Sequence, residues 1–345
     1  MDDSQLKIIC LTPVKNEEWI LDRFLKATSL WADHIIIADQ GSTDNSREIA
    51  RRFQKVILIE NPGKEYHEYN RQQILLDKAR EIPGRKLLIA LDADEFFTAN
   101  IFTSPEWQSV INAEPGTMIR TSWVHVWPRF WEASEDSRFD HFTGYMDNGD
   151  ELITQGAIHN ARLPIPQNGR QIFLNSIKLL HYSEVDTERN RSRRRWYMCW
   201  EMLHGTLSPV QINRLYTYRA TERPFPFPHE WIRKYEEAGI DMTSVWKSSE
   251  HYITPDHDWK LETNYWWDLE VLNLMKQHGA EKFSKLDIWD KDWDSLGKRI
   301  FADPIDFRRR ASFKARMIHR IMQKLHRSQN NFFVRWLNYF LEGIF

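Results

Sequence analysis

Short apolar runs separated by stretches of helical spacing organise the first hundred residues. Lys7–Val14 (KIICLTPV), His34–Asp39 (HIIIAD), Lys55–Glu60 (KVILIE) and Lys86–Asp92 (KLLIALD) read as buried strands. Between them, Glu17–Ser29 places Ile20, Leu21, Phe24 and Leu25 on one helical face. Thr43–Phe53 and Glu68–Arg80 read as two further helices, the first capped by Ser42 or Thr43. Continuous apolar strands that alternate with helices predict a mostly parallel sheet covered on both faces. After residue 100 the alternation fades. Gly116–Trp127 and Gln171–Tyr182 read as strands, and 190–280 as mainly helical with a break at Arg223–His229 (RPFPFPH). Soft boundaries near residues 230 and 305 divide the chain into 1–230, a helical extension 231–306 and a tail 307–345.

Composition narrows the class. Apolar residues make up 41% of the 345 and charged residues 28%, with a net charge of -2, so the chain has the means to build a core and lacks the charge imbalance of disorder. Two cysteines cannot form a disulfide framework, which points to a reducing compartment. The start, MDDSQLKIIC, has no basic segment leading into a long apolar stretch, so no secretory signal is expected. No window approaches the ~18 uninterrupted apolar residues of a spanning helix. The expected setting is the cytoplasm, where the tail leaves open either peripheral contact on the inner face of the membrane or docking on protein. Sixteen tryptophans suit either a Trp-rich core or flat walls for a sugar ring, with Trp123, Trp127, Trp131, Trp196 and Trp200 the candidates.

The tail changes the charge picture. Residues 307–345 hold nine Lys/Arg against one acid, Glu342, a net of +8, so the other 306 residues carry -10. Phe313, Met317, Ile321 and Leu325 recur every four residues, and a shorter apolar run with an aromatic character follows: Phe332, Phe333, Val334, Trp336, Leu337, Tyr339, Phe340, Leu341, Ile344 and Phe345. An anionic membrane surface and docking on protein both fit a basic amphipathic helix. Nucleic acid does not, because the acidic remainder repels phosphate backbones.

In a parallel sheet, ligands bind outside the carboxyl ends of the strands. Those ends are polar here: Thr12-Pro13-Val14-Lys15-Asn16-Glu17, Asp39-Gln40-Gly41-Ser42-Thr43-Asp44, and Asp92-Ala93-Asp94-Glu95. Crowded carboxylates repel one another, and a hard divalent cation offsets that cost. A solvated acidic turn is the plain alternative for an isolated Asp-x-Asp.

TPVKNEEWIL, IIIADQGSTDNS, EYNRQQ and LLIALDADE, in this order over residues 6–100, resemble the nucleotide-sugar-binding domain of family 2 glycosyltransferases. The resemblance implies an α/β GT-A fold: a Rossmann-like, mostly parallel sheet with flanking helices, here followed by a helical C-terminal extension. It implies a hexosyl- or pentosyltransferase that moves one sugar from a nucleotide diphosphate donor to a glycan or lipid-linked acceptor, with inversion. Thr12, Pro13, Val14 and Glu17 would then line the base and ribose pocket, Asp39 would bind the base, and Arg71 would lie near the nucleotide. Asp92 would contact the ribose, or the metal through water, with Ala93 beside it in the donor site, and Asp94 would bind Mn²⁺ or Mg²⁺ directly in a DXD motif, bridging the diphosphate. His181, at the end of an apolar strand, is the expected second ligand, with His159 as runner-up. An inverting transfer needs a general base; Asp147, Asp150 and Glu151 in the MDNGDELI turn and Glu184 and Asp186 after His181 are the candidates, with Asp150 or Glu151 preferred. Arg193-Arg194-Arg195-Trp196 departs from the Gln-x-x-Arg-Trp of processive synthases at its first position. This basic run suits either anion binding or a solvated helix face. A nucleotidyltransferase would carry a Gly-rich loop after the first strand, which TPVKNEE lacks. A non-catalytic carbohydrate- or membrane-binding protein of the same fold is the remaining rival.

Overall fold

The computed structural model describes residues 5–60, 68–127, 132–153, 161–217, 225–244, 265–301 and 307, and in the tail 317, 318, 320, 321, 332, 336, 337 and 339–341. The chain forms two compact units, one of residues 1–186 with 222–249 and one of residues 187–221 with 250–345. The expected boundary near residue 230 thus falls inside the second segment of the first unit.

In the first unit the predicted strands form as β1 (Lys7–Val14), β2 (His34–Asp39), β3 (Val56–Glu60) and β4 (Lys86–Ala90). They pair in parallel in the order β3-β2-β1-β4. Helices α1 (Glu18–Thr28), α2 (Ser46–Arg51) and α3 (Glu68–Arg80) connect them. Ile20, Leu21, Phe24 and Leu25 of α1 are buried in a cluster with Ile35, Ile37, Leu87 and Ile89. Leu75, Leu76 and Ala79 of α3 join Ile9, Leu11, Ile36 and Leu88 in a second cluster. Strand side chains alternate between these two clusters, so the sheet is covered on both faces and its strands read as unbroken apolar runs.

Beyond β4 the sheet becomes mixed. It continues through β7 (Glu132–Met146), β6 (Met118–Val126), β8 (Gln171–His181) and β5 (Glu95–Phe97), with β9 (Phe225–Pro226) paired to β7. β7 runs antiparallel to both β4 and β6, while β6 and β8 are parallel. Two helices, α4 (Pro105–Ile111) and α7 (Arg233–Glu237), complete the helices of this unit among the described residues. This is the α/β architecture the sequence pattern implies, Rossmann-like over its first four strands.

Gly144 of β7 pairs with Ile89 of β4 on one side and Ile119 of β6 on the other. A Cβ there would meet Ile89 Cδ1 at 2.8 Å and Ile119 Cβ at 3.1 Å. Gly144→Ala is therefore expected to destabilise the protein by about 1–3 kcal/mol through overpacking. A shift of the urea midpoint at constant m-value measures it.

The second unit is helical among its described residues: α5 (Thr187–His204), α6 (Pro209–Tyr216), α8 (Trp266–His278) and α9 (Trp293–Ile300). Its centre holds an ion cluster. Arg195 is buried, donates to Asp290 Oδ1 and Oδ2 at 3.0 and 2.7 Å, and meets Asp268 Oδ1 at 3.4 Å. Burial opposes its charge, but the two carboxylates more than offset that and raise its pKa. Arg189 is also buried, with its guanidinium 4.7 Å from the Trp267 ring. At these two positions the basic run of α5 is neither a solvated face nor an open anion site. Trp196 is buried against Trp200, their centroids 5.5 Å apart. No helix of the described residues is long and apolar enough to cross a membrane.

Candidate functional site

The carboxyl ends of β1, β2 and β4 lie side by side because the three strands are parallel neighbours. The loops after β1 and β2 are laced together. Ser42 Oγ accepts the Asn16 N–H at 2.9 Å, Asn16 Oδ1 accepts the Thr43 N–H at 2.7 Å, and Asp44 Oδ2 accepts the Glu18 N–H at 3.0 Å. Ser42 and Asp44 thus hold the turn entering α1. The expected cap of α2 by Ser42 or Thr43 does not form, and that helix starts at Ser46. Asn16 adopts a positive φ of 57°, which Asn tolerates better than other side-chain-bearing residues.

Asp39 ends β2 and is buried. Its Oδ2 accepts N–H donors of Gly41 and Ser42, each at 3.1 Å, and lies 3.9 Å from Arg47 Nε. Its Oδ1 is buried and meets no hydrogen-bond donor among the described residues. An unsatisfied buried carboxylate oxygen costs free energy unless a ligand supplies a donor. Arg71 Nη1 donates to Gln40 Oε1 at 3.2 Å, which brings α3 to the same edge.

Of the other residues expected to line the donor pocket, Thr12 and Val14 are fully buried, and the Thr12 hydroxyl lies 3.5 Å from Cys10 Sγ. Burial pushes that thiol up to about 12, so Cys10 is an inert core group. Pro13 and Glu17 are partly exposed, and Glu17 Oε2 accepts the Trp19 indole N–H at 2.6 Å.

The acidic turn splits its carboxylates between two environments. Asp92 and Glu95 share one arginine that the sequence reading had not singled out. Arg162 reaches Asp92 Oδ2 at 2.6 Å, Glu95 Oε2 at 2.6 Å and Glu95 Oε1 at 3.1 Å. Glu95 Oε2 also accepts the Asp92 N–H at 2.9 Å, which closes the turn. Burial pushes the Glu95 carboxyl up to about 7; Arg162 opposes that rise, and Asp92 and Asp94 add to it. The three carboxylates together hold the Arg162 guanidinium firmly protonated against its own burial. Asp92 keeps about a third of its side chain open to solvent. Ala93 is buried.

Asp94 faces the other way. Its Oδ2 lies 3.6 Å from His181 Nε2, and both residues are buried. β8 delivers His181 here because its last residue pairs with Glu95 of β5 and with His125 of β6. On its other nitrogen, Nδ1, His181 meets Ser183 Oγ at 3.3 Å. Trp123 stacks on His181 and on His141, with centroids 4.6 and 3.4 Å away. Trp123 is thus stacked with two imidazoles, which argues against a bare platform for a sugar ring. His159 and Trp131 lie outside the described residues.

Asp150 and Glu151 need a correction. β7 enters beside the carboxyl end of β4 and leaves beside its amino end, where the Asp147 N–H donates to Lys86 O at 2.9 Å. Asp150 Oδ2 accepts from the Tyr145 hydroxyl at 2.7 Å, and the Asp150 carbonyl accepts from Arg80 at 2.7 Å. Lys86 and Asp92 are six residues apart on an extended chain, about 20 Å. The turn that carries Asp150 and Glu151 therefore lies at the opposite end of the sheet from Asp39, Asp92 and Asp94. The antiparallel course of β7, which the sequence did not reveal, is the reason.

Residues 9–104 match the family model for Glycosyl transferase family 2, a stretch that takes in β1 to β5 and the acidic turn. A comparison with curated proteins gave no match. Similar solved structures include glucosyl-3-phosphoglycerate synthase from Mycobacterium tuberculosis in complex with phosphoglyceric acid, at 19% identity and a TM-score of 0.26, covering 34% of this chain and 44% of that one. The same synthase in complex with Mn²⁺, uridine diphosphate and phosphoglyceric acid aligns at 18% identity and a TM-score of 0.26, over 34% of this chain and 43% of that one. A putative glucose-1-phosphate thymidylyltransferase from Bacillus anthracis aligns at 11% identity and a TM-score of 0.26, over 70% of this chain and 99% of that one. The chain thus spans less than half the length of the synthases it resembles.

Proposed function

We propose that the protein is an inverting glycosyltransferase that takes one sugar from a nucleotide diphosphate donor and passes it to a glycan or lipid-linked acceptor. The observation that carries this reading is the convergence, on one edge of the sheet, of a buried unsatisfied carboxylate oxygen on Asp39 with the paired Asp94 and His181. The family match over residues 9–104 supports it.

Asp39 Oδ1 is the acceptor for a base N–H, and its own position is fixed by the Gly41 and Ser42 amides. Arg71, braced on Gln40, places a positive charge near the nucleotide. Asp92, partly exposed, faces the donor while Arg162 holds its orientation. A divalent cation suits the Asp94 and His181 pair: one carboxylate oxygen and one imidazole nitrogen are acceptable donors for Mn²⁺, and less so for Mg²⁺. Among the described residues no group of three or more His, Cys, Asp or Glu is placed to hold a metal ion, so water and phosphate oxygens would have to supply most of its shell. Such an ion would draw off the charge that develops on a leaving nucleoside diphosphate.

Thermal shifts against UDP-, GDP- and dTDP-sugars with Mn²⁺ test the reading. A donor at 100 times its Kd adds about 2.7 kcal/mol of stability. Asp39→Ala removes the base acceptor and is expected to weaken binding of the responding donor about tenfold or more, with the free variant still folded. Product analysis must show release of nucleoside diphosphate. Release of pyrophosphate would make the protein a nucleotidyltransferase, and glycan binding indifferent to nucleotide and metal would make it a non-catalytic binder.

A further inference from the structure

Among the described residues of the C-terminal segment, two leucines and four aromatics lie on two separate arcs. Residues 332, 336, 337 and 339–341 are helical. Leu341 is buried and Leu337 packs partly buried with it, in one cluster with Val210 of α6 and Ile318. At 100° per residue, Leu337 and Leu341 point to one side of a helix. Phe332, Trp336, Tyr339 and Phe340 fall on a separate arc about 100° wide. These four side chains are 85%, 53%, 79% and 51% exposed, and the Trp336 and Phe340 rings stack at 5.8 Å. A few residues upstream, Ile318 is buried while Met317 and Arg320 are exposed. Met317, one member of the four-residue stripe, is thus not a docking residue. Docking on the protein's own unit is satisfied by the leucines and Ile318, and it leaves the aromatic face uncovered.

Single exposed aromatics are ordinary, but four at helical spacing form a patch that calls for a partner. The charge of the segment's sequence selects it. Residues 307–345 carry a net +8. A second copy of the chain would set two such tails against each other across a two-fold contact, and like charges there repel. An anionic bilayer presents the opposite charge together with an interface that accepts Trp and Tyr, each with an apolar body and a polar edge. We infer that Phe332, Trp336, Tyr339 and Phe340 enter the headgroup region of an anionic membrane while Leu337 and Leu341 stay seated on the protein. The helix lies in the plane of the membrane, and the basic residues of the tail supply the electrostatic part of the attraction.

The inference stands apart from the donor reading, since a chain that binds no nucleotide sugar would still bind vesicles. Co-sedimentation of the full-length protein with phosphatidylcholine vesicles, with and without phosphatidylglycerol, tests it. The protein is expected to pellet with the phosphatidylglycerol vesicles and to be released by salt. The combined variant F332A/W336A/Y339A/F340A is expected to lower the partition coefficient about tenfold or more, with an unchanged unfolding midpoint and elution volume. If that variant loses its fold, F332A and Y339A singly, at the two most exposed positions, are each expected to lower it about twofold. Failure of the parent to pellet with anionic vesicles overturns the inference. So does equal pelleting of parent and folded variants. A parent that elutes as a dimer and pellets with neither vesicle assigns the patch to a second copy instead.

Discussion

Asp94→Asn is expected to lose about 10²–10³-fold in sugar transfer while the protein remains folded. The substitution keeps the shape of the side chain and removes its charge. The backbone role of the residue survives, because the Tyr182 N–H donates to the Asp94 carbonyl and not to its side chain. What disappears is the anionic oxygen 3.6 Å from His181 Nε2. Two readouts separate chemistry from folding: nucleoside diphosphate release from the donor that gives a thermal shift, and the unfolding midpoint without ligand. The additional midpoint rise produced by Mn²⁺ together with the donor should shrink in the variant. Full turnover by Asp94→Asn in the presence of EDTA would remove the basis for the proposed mechanism.

Arg162→Met is expected to destabilise the protein by about 3–5 kcal/mol, the range for removing one partner of a buried pair. Glu95 has no solvent exposure, and Arg162 is the cation its two oxygens meet. Methionine fills similar volume and supplies no charge, so Glu95 must either take up a proton or lie buried as an uncompensated anion. The double variant Arg162→Met, Glu95→Gln separates this from lost packing. If the stranded charge is the cause, Glu95→Gln restores part of the stability in the Arg162→Met background and costs stability alone, a coupling that a double-mutant cycle reads directly. Urea midpoints of the four proteins give the answer. Equal effects of Glu95→Gln in both backgrounds would show that the arginine acts through packing alone.

The first half of the sheet was readable because burial on both faces writes a strand as a continuous apolar run. KIICLTPV, HIIIAD, KVILIE and KLLIALD all became strands, with the third starting one residue late and the fourth ending at Ala90. The carboxylates after them followed, because strand direction fixes which end of a parallel sheet they reach. β5 was missed since three residues, EFF, carry no period. β7 was missed since EASEDSRFDHFTGYM has no apolar run and little alternation. Missing β7 also misplaced Asp150 and Glu151, because one antiparallel strand reverses the end of the sheet to which its turn belongs. His181 was legible as the end of an apolar strand, but its approach to Asp94 depends on the pairing of β8 with β5.

Local pattern by itself determined where the chain is buried, the α/β class, and which polar groups stand at the strand ends. Tertiary structure alone decided who meets whom. It brought Arg162 across 67 residues to Glu95, buried Arg195 between Asp268 and Asp290 instead of leaving it in solvent, and seated Leu337 and Leu341 while leaving Trp336 in water. The physical reason is range. Hydrophobic period and capping are settled within a few residues of chain, whereas the partner of a charge or of a helix face is chosen by contacts between segments far apart in sequence, and no local window contains both members of such a pair.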